Sequence, residues 1–530
     1  MTREHDTPQQ LHLMALEPLP AKDWLPITLA AASAAGLHAE RRGQAIVAWE
    51  QTHKRQTYAY ADGWELRRQW LGPRRHAVCL TAQRLYFELE TGALDVRQEH
   101  DIVKGKRPPS PSAVEQLHRQ WEVLSALIEH LSRETCCPVR LDVVRDDLTE
   151  LRVISIAGTD RPEPNGSIGS LYRALGFDSV PDRFTLSLCC ADGVPTAVAR
   201  EYSHRIQSAA ESAGVVLHVS NFSYEAIRTR LAQLQESGGV PQHGRCLMFL
   251  MRPKNEPHDP ETLELMRALE RAGVAFRRAY SSDPFEYSAA SQLPSILMAA
   301  GGRAHRACAG VNGSDIWTAG IDLGHPKGGD ASRLVLTLVD PEGSLAGAWF
   351  VHQRRDETAR IGSLTGLLER CSKKLLGLTS DARVMVLRDG RMFENERAHV
   401  FAPYFPQGFT LVEFRKGHNP QMVFSRPEPH LPGEPLAACV PGTSTTFITT
   451  IGPRGAAMLP PVAKIVARPE ANGLRLSSSE IVEVITRSAA APSLGPLPHH
   501  LPAAIYWADG IAGKSDTDLR FWGVPAVCVD

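Results

Sequence analysis

Three aspartates each stand at the end of an apolar run. Trp317 to Leu323 (WTAGIDL) carries Asp322 and leads into Gly324 and His325, Arg383 to Gly390 (RVMVLRDG) carries Asp389, and Leu501 onward runs apolar into Asp509. A β-forming run that closes on a carboxylate and a glycine reads as a buried strand delivering one acid to an edge of its sheet, and all three segments are read this way. A single aspartate in such a place is equally well explained as a turn former. The set of three supports a more specific chemistry, the metal-assisted hydrolysis of a phosphodiester. Two divalent ions about 3.5–4 Å apart need bridging carboxylates. Mg²⁺ or Mn²⁺ is the expected ion, because a hard cation that retains its waters needs few carboxylates.

The elements that must position these acids follow from the pattern around them. Between residues 311 and 530, three antiparallel strands are expected at Trp317–Leu323, Leu334–Val339 and Ala346–Val351, with Asp340-Pro341-Glu342-Gly343 turning the second into the third. A helix from about Ser363 to Leu376 puts Leu364, Leu367, Leu368, Cys371 and Leu375 on one side, and the Asp389 strand follows. Three antiparallel strands, a helix and another strand, with acids on the first and fourth strands, is the ribonuclease H order. Upstream, from 181 to 310, strands at Phe184–Cys189, Val215–Val219 and Cys246–Met251 alternate with helices at Ala197–Ala213, Tyr224–Gln235 and Glu261–Ala272. That alternation predicts a parallel, doubly wound sheet that binds ligands beyond its strand C-termini. Neither a Gly-x-Gly-x-x-Gly nor a P-loop is present, which argues against a Rossmann dehydrogenase or an NTPase.

Residues 1–104 mix β-like segments (Gln56–Tyr60, Ala77–Leu80) with a helix around Trp24 to Gly36 and suggest no chemistry. Gly105 to Pro111 is a linker by composition, opening a region that extends to residue 180. Ser112 and Glu115 then have capping-box spacing, followed by a stripe of Val114, Leu117, Trp121, Leu124, Ile128 and Leu131. At 530 residues, with 58 basic against 59 acidic side chains, the chain has no global field to attract a polyanion, so any such binding must be local. The 10 cysteines include no C-x-x-C and read as reduced, mostly buried thiols. No signal-like leader or long apolar span is found, and a cytoplasmic location is expected.

In order and spacing, Gly320-Ile321-Asp322-Leu323-Gly324-His325, Leu387-Arg388-Asp389-Gly390-Arg391 and Tyr506-Trp507-Ala508-Asp509 resemble the motifs of prokaryotic Argonautes across roughly the last 350 residues. The resemblance implies an α/β chain: a Rossmann-like MID domain (181–310) followed by a ribonuclease H-like PIWI domain (311–530), behind an α+β N-terminal region, with the PAZ domain missing. It implies a catalytic set of Asp322, Glu357, Asp389 and Asp509, Glu357 being the mobile acid of the loop Arg354 to Thr358 and Asp356 its neighbour in register. Arg391, Lys416 and His325 become candidate phosphate contacts.

For the pocket that takes the guide's 5' end, the same resemblance points to Arg267, to Arg277 or Arg278, and to the terminal carboxylate of Asp530 entering through a metal. Leu263 and Ala299 stand where the family often has polar or basic groups, so a 5'-hydroxyl guide is compatible with the pocket. The implied partners are a short DNA or RNA guide and a complementary strand that is cut. The alternative is a catalytically silent guide-binding sensor that signals through an associated effector protein.

Overall fold

The computed structural model describes residues 11–17, 24–55, 59–72, 75–88, 91–93, 111–131, 137–145, 148, 153–162, 172, 174–236, 244–253, 256–257, 259–271, 274, 276–307, 316–326, 330–356, 358–424, 436–450, 461–468, 475–491, 499–513 and 526–528. The chain forms two compact units, Met1–Leu148 with Phe414–Ala467, and Thr149–Glu413 with Arg468–Asp530.

The first unit is built on a long antiparallel hairpin, Ala59–Gly72 against Arg75–Phe87, which takes in the two short strands expected there, residues 56–58 lying outside the described set. Helices Trp24–Ala34 and Ala113–Leu131 bury Trp24, Leu117, Leu124 and Leu131 with Leu66 and Leu80 of that hairpin. The second helix starts where its capping box predicts. Glu115 N–H donates to Ser112 Oγ (3.2 Å), and Ser112 N–H donates to the Glu115 carboxylate (2.8 Å). Its apolar stripe differs at the start: Val114 is exposed and Ala113 is buried, because the row through Leu117 runs back by four residues rather than three.

In the second unit, strand β1 (Phe184–Cys190) is followed by α1 (Thr196–Ser212), β2 (Leu217–Asn221), α2 (Tyr224–Glu236), β3 (Arg245–Met251), α3 (Pro260–Arg271), β4 (Phe276–Tyr280) and α4 (Phe285–Ala299). The four strands make the expected parallel sheet, in the order β2-β1-β3-β4. Strand β2 begins two residues later than its apolar run suggests. The Val215 N–H is still bonded to Ala210 of α1, and Val216 points into solvent.

Beyond α4, the buried His305 is bonded through Nδ1 to the Tyr172 hydroxyl (2.7 Å) and donates from Nε2 to the Ala490 carbonyl (3.1 Å), so in the neutral ring Nδ1 is the acceptor. Burial pulls its pKa from 6.5 to about 4, against the opposing pull of the Ala490 bond and Asp178. The unfolded chain therefore takes up this proton first. Stability is intact above about 6.5 and falls as pH drops toward 4, by roughly 3 kcal/mol for this group. Melting of wild type and His305→Gln across that window should show the wild type losing more stability on acidification; parallel curves would refute the assignment.

The rest of the unit comprises β5 (Ile316–Gly324), β6 (Ala331–Val339), β7 (Leu345–Arg354), α5 (Ile361–Leu376), β8 (Arg383–Asp389), α6 (Ser478–Ala489), α7 (Ala503–Gly513) and β9 (Ala526–Cys528). Strands β5, β6 and β7 are antiparallel neighbours, β8 lies parallel to β5, and β9 lies parallel to β7. The turn at Asp340 closes as expected, with Gly343 at φ +88 and the Ser344 N–H donating to the Asp340 carboxylate (2.7 Å). The predicted side of α5, Leu364, Leu367, Leu368, Cys371 and Leu375, packs on Ala319, Ile321, Leu334, Leu336 and Leu338. Each such leucine contributes about 1.5–3 kcal/mol of burial.

The opposite face of the sheet is covered by α7, and here the sequence reading needs correcting. The Asp509 segment is a helix, and Asp509 lies within it rather than at the end of a strand. Ala503, Ala504, Ala508 and Ala512 are strong helix formers, and the run is apolar all round because it is buried. Among the described residues no helix is long and apolar enough to cross a membrane.

Candidate metal centre

Backbone packing brings two of the acids together. Residues 320, 322 and 324 of β5 share one face, and both glycines touch α7. A Cβ at Gly320 would lie 2.2 Å from the Ala504 carbonyl oxygen, and one at Gly324 would lie 2.3 Å from that of Ala512. Four strand residues rise about 13 Å and eight helix residues about 12 Å, so strand and helix run alongside each other in step. Thr337, opposite Gly320 on β6, donates to the Ala504 carbonyl (2.8 Å). Midway between the glycines, Asp322 meets the level of Ala508, and Asp509 is the next residue of the helix. The third acid comes from β8, whose parallel register (Gly320 with Leu387, Ile321 with Arg388) brings Asp389 to the same strand ends.

The result is a cluster in which one carboxylate oxygen from each of Asp322, Asp389 and Asp509 lies within 4.8 Å of the others. Asp322 is 9% exposed and the other two are partly exposed, so the cluster opens toward solvent on one side. Each pair of charges at that spacing repels by roughly 3 kcal/mol at an effective dielectric of about 20. One cation of the protein's own sits beneath them. Arg388, 4% exposed, reaches Asp322 Oδ1 (3.7 Å) and donates through Nε to Glu396 (3.0 Å), which is 1% exposed. One guanidinium cannot balance three carboxylates, and Arg388 also serves Glu396, so three ionised acids would keep a net negative charge. All-oxygen donors converging on one point suit a hard divalent cation such as Mg²⁺ or Mn²⁺.

Glu357 and Asp530 lie outside the described residues. On either side of position 357 the loop is held by a cross-strand pair, Ser332 and Gln353. Ser332 Oγ bonds the Asp356 backbone at both N and O (3.1 Å each), and the Gln353 side chain bonds the Thr358 carbonyl (2.8 Å) and the Arg360 N–H (3.1 Å). The Asp356 carboxylate accepts from Thr358 Oγ1 (3.2 Å) within its own loop. His325 bonds Ser332 through Nδ1 (2.9 Å). Arg391 is exposed two residues past Asp389, and Lys416 is exposed in the first unit.

In the parallel-sheet half, Arg267 is half-buried on α3, and the Arg278 guanidinium stacks 4.7 Å over the Tyr280 ring. Arg277, half-buried like Arg278, donates instead to the Ser295 (3.1 Å) and Phe276 (3.0 Å) carbonyls. Leu263 packs in the apolar cluster around Leu265 and Phe276, and Ala299 in the one around Leu293 and Leu297. The last described strand, β9, lies against α3.

Sequence reasoning gave no role to Arg388 or Glu396, nor to the buried Arg333 of β6. An arginine directly before the apolar run Leu334–Val339, and an arginine directly before the strand-end acid Asp389, were the available signals.

A parallel αβ sheet followed by a ribonuclease H-like sheet, with two acids on adjoining strands and a third on the helix that covers them, is the MID-PIWI arrangement, and the chain has an Argonaute-like fold. Three comparisons show it. Clostridium butyricum Argonaute, bound to a guide DNA and a 19-mer target DNA, superposes with a TM-score of 0.64 at 11% identity over 94% of this chain and 86% of that one. Drosophila Piwi gives 0.61 at 9% identity over 93% and 84%. Marinitoga piezophila Argonaute in complex with a 5' OH guide RNA gives 0.61 at 11% identity over 93% and 85%. No protein-family model matches the sequence, and no curated protein matches it.

Proposed function

We propose that the chain is a guide-directed endonuclease, which binds a short nucleic-acid strand and cuts the strand that pairs with it. The observation that carries this reading is the Asp322, Asp389 and Asp509 cluster, seated where a ribonuclease H-like sheet delivers its acids. Those three would hold Mg²⁺ or Mn²⁺, and Glu357 would join them from its loop. Bound there, the ions supply a Lewis acid for the scissile phosphate and stabilise charge on the entering and leaving oxygens. The protein's own part is to fix the carboxylates. Gly320 and Gly324 set the depth of α7, the Leu323 N–H donates to Asp322 Oδ1 (2.8 Å), and the Arg388 guanidinium lies 3.7 Å from that same oxygen. Arg391 and Lys416 are proposed phosphate contacts.

The MID-like region 181–310 would hold the guide's 5' end through Arg267 and Arg278, with the Asp530 carboxylate joining through a bound metal ion. The guide in the Marinitoga neighbour carries a 5' hydroxyl. With Leu263 and Ala299 packed among apolar side chains, the same chemistry suits this pocket, since a 5'-phosphate needs several converging cations and donors. Sequence readout belongs to base pairing, so the fold is neutral between DNA and RNA.

The test is equilibrium binding. Loaded with a short guide, the protein should hold a complementary strand at least a hundredfold, about 2.7 kcal/mol, more tightly than a scrambled one. Equal retention of the two strands would contradict the proposal. In the same format, 5'-phosphate and 5'-hydroxyl guides should differ by less than a hundredfold, and a larger preference for phosphate would overturn the reading of the pocket.

A further inference from the structure

Arg333 is fully buried, an unusual place for a cation within the apolar strand β6. Its Nη1 donates to the Ile511 carbonyl (2.8 Å), its Nε donates to Nε2 of His352 (3.2 Å), and its guanidinium carbon lies 5.3 Å from the centre of the Phe350 ring. Register places Arg333 opposite Gly324 on one neighbouring strand and opposite His352 on the other. Ile511 belongs to the last turn of α7, whose carbonyls have no partner within the helix and must be satisfied from outside when buried. Gly324 opens the space that lets this same turn, at Ala512, come down onto the sheet.

Burying a guanidinium costs several kcal/mol, and a well-packed apolar side chain in its place is often no less stable. What an apolar side chain lacks is a directed bond to one carbonyl, and that carbonyl is two residues from Asp509.

We propose that Arg333 is a positioning residue for the carboxylate cluster: by pinning the last turn of α7 to β6 it holds Asp509 where a divalent cation can be shared with Asp322 and Asp389. The inference rests on the metal-centre reading above and adds a residue that touches neither the ion nor the nucleic acid. It makes a specific demand, because an effect transmitted through Asp509 must vanish once Asp509 can no longer ligate.

The experiment is a double-mutant cycle on Mn²⁺ affinity, read by calorimetry on the full chain without nucleic acid. Arg333→Met should weaken Mn²⁺ binding at least tenfold, about 1.4 kcal/mol. Asp509→Asn should weaken it too, and adding Arg333→Met to Asp509→Asn should cost nothing further. Arg333→Lys, which keeps a donor and the charge, should recover part of the loss. If Arg333→Met does not fold, Gly324→Ala presses on the same turn without altering charge and should give the same non-additive pattern. Undiminished affinity in the single variant, or losses that add in the double variant, would overturn the positioning role. Mn²⁺ binding that is absent in wild type or indifferent to Asp322→Asn would overturn the metal centre itself, and Arg333's role with it.

Discussion

Asp389→Ala should lower cleavage of a guide-paired strand by at least about a thousandfold, some 4 kcal/mol of transition-state stabilisation, while guide affinity stays within a few-fold of wild type. The two quantities separate because different parts of the chain supply them. Asp389 reaches the cluster from the C-terminal end of β8, beside Asp322, and its carboxylate is one of only three whose oxygens converge there among the described residues. On the proposed reading, guide affinity would come from contacts to backbone phosphates and from the 5'-end pocket. Single-turnover cleavage and guide titration on the same preparations check both. A variant that cuts at the wild-type rate would remove Asp389 from the site.

Gly320→Ala should be nearly as damaging although it deletes no functional group. The added methyl would lie 2.2 Å from the Ala504 carbonyl oxygen and 2.8 Å from Thr337 Oγ1, so α7 must lift off β5. Overpacking of this kind costs about 1–3 kcal/mol, and a shift of about 1 Å in a catalytic group can cost a hundredfold in rate. The expected result is a lowered melting temperature together with a loss of cleavage beyond a hundredfold. Normal cleavage in a destabilised variant would show that α7 does not set the site's geometry.

Much of this was legible in the sequence wherever one periodicity dominated. The side of α5 that runs from Leu364 to Leu375, the antiparallel strands around Asp340 and the alternation from Phe184 to Met251 all appear as expected. The Asp509 run was misread as a strand because it is apolar on every side, and a run buried all round carries no period to separate helix from strand. Gly320 and Gly324 were visible as parts of a motif, yet their reason is tertiary, the close approach of Ala504 and Ala512 from a helix far along the chain. Arg333 and the Arg388–Glu396 pair were opaque for the same reason. Whether a charge is buried and what it holds depends on which strands become neighbours.

The central claim is most directly tested by incubating the purified wild-type chain with a short guide, a labelled complementary strand and Mn²⁺, in DNA and RNA versions of each. Cleavage at one position counted from the guide's 5' end is predicted. It should be absent with a scrambled guide, abolished by chelator, and lost in Asp322→Asn. Cutting that ignores the guide, or no cutting in any combination while complementary strands are still bound, would contradict it; the latter would leave the chain a guide-binding sensor with an intact but silent acidic cluster.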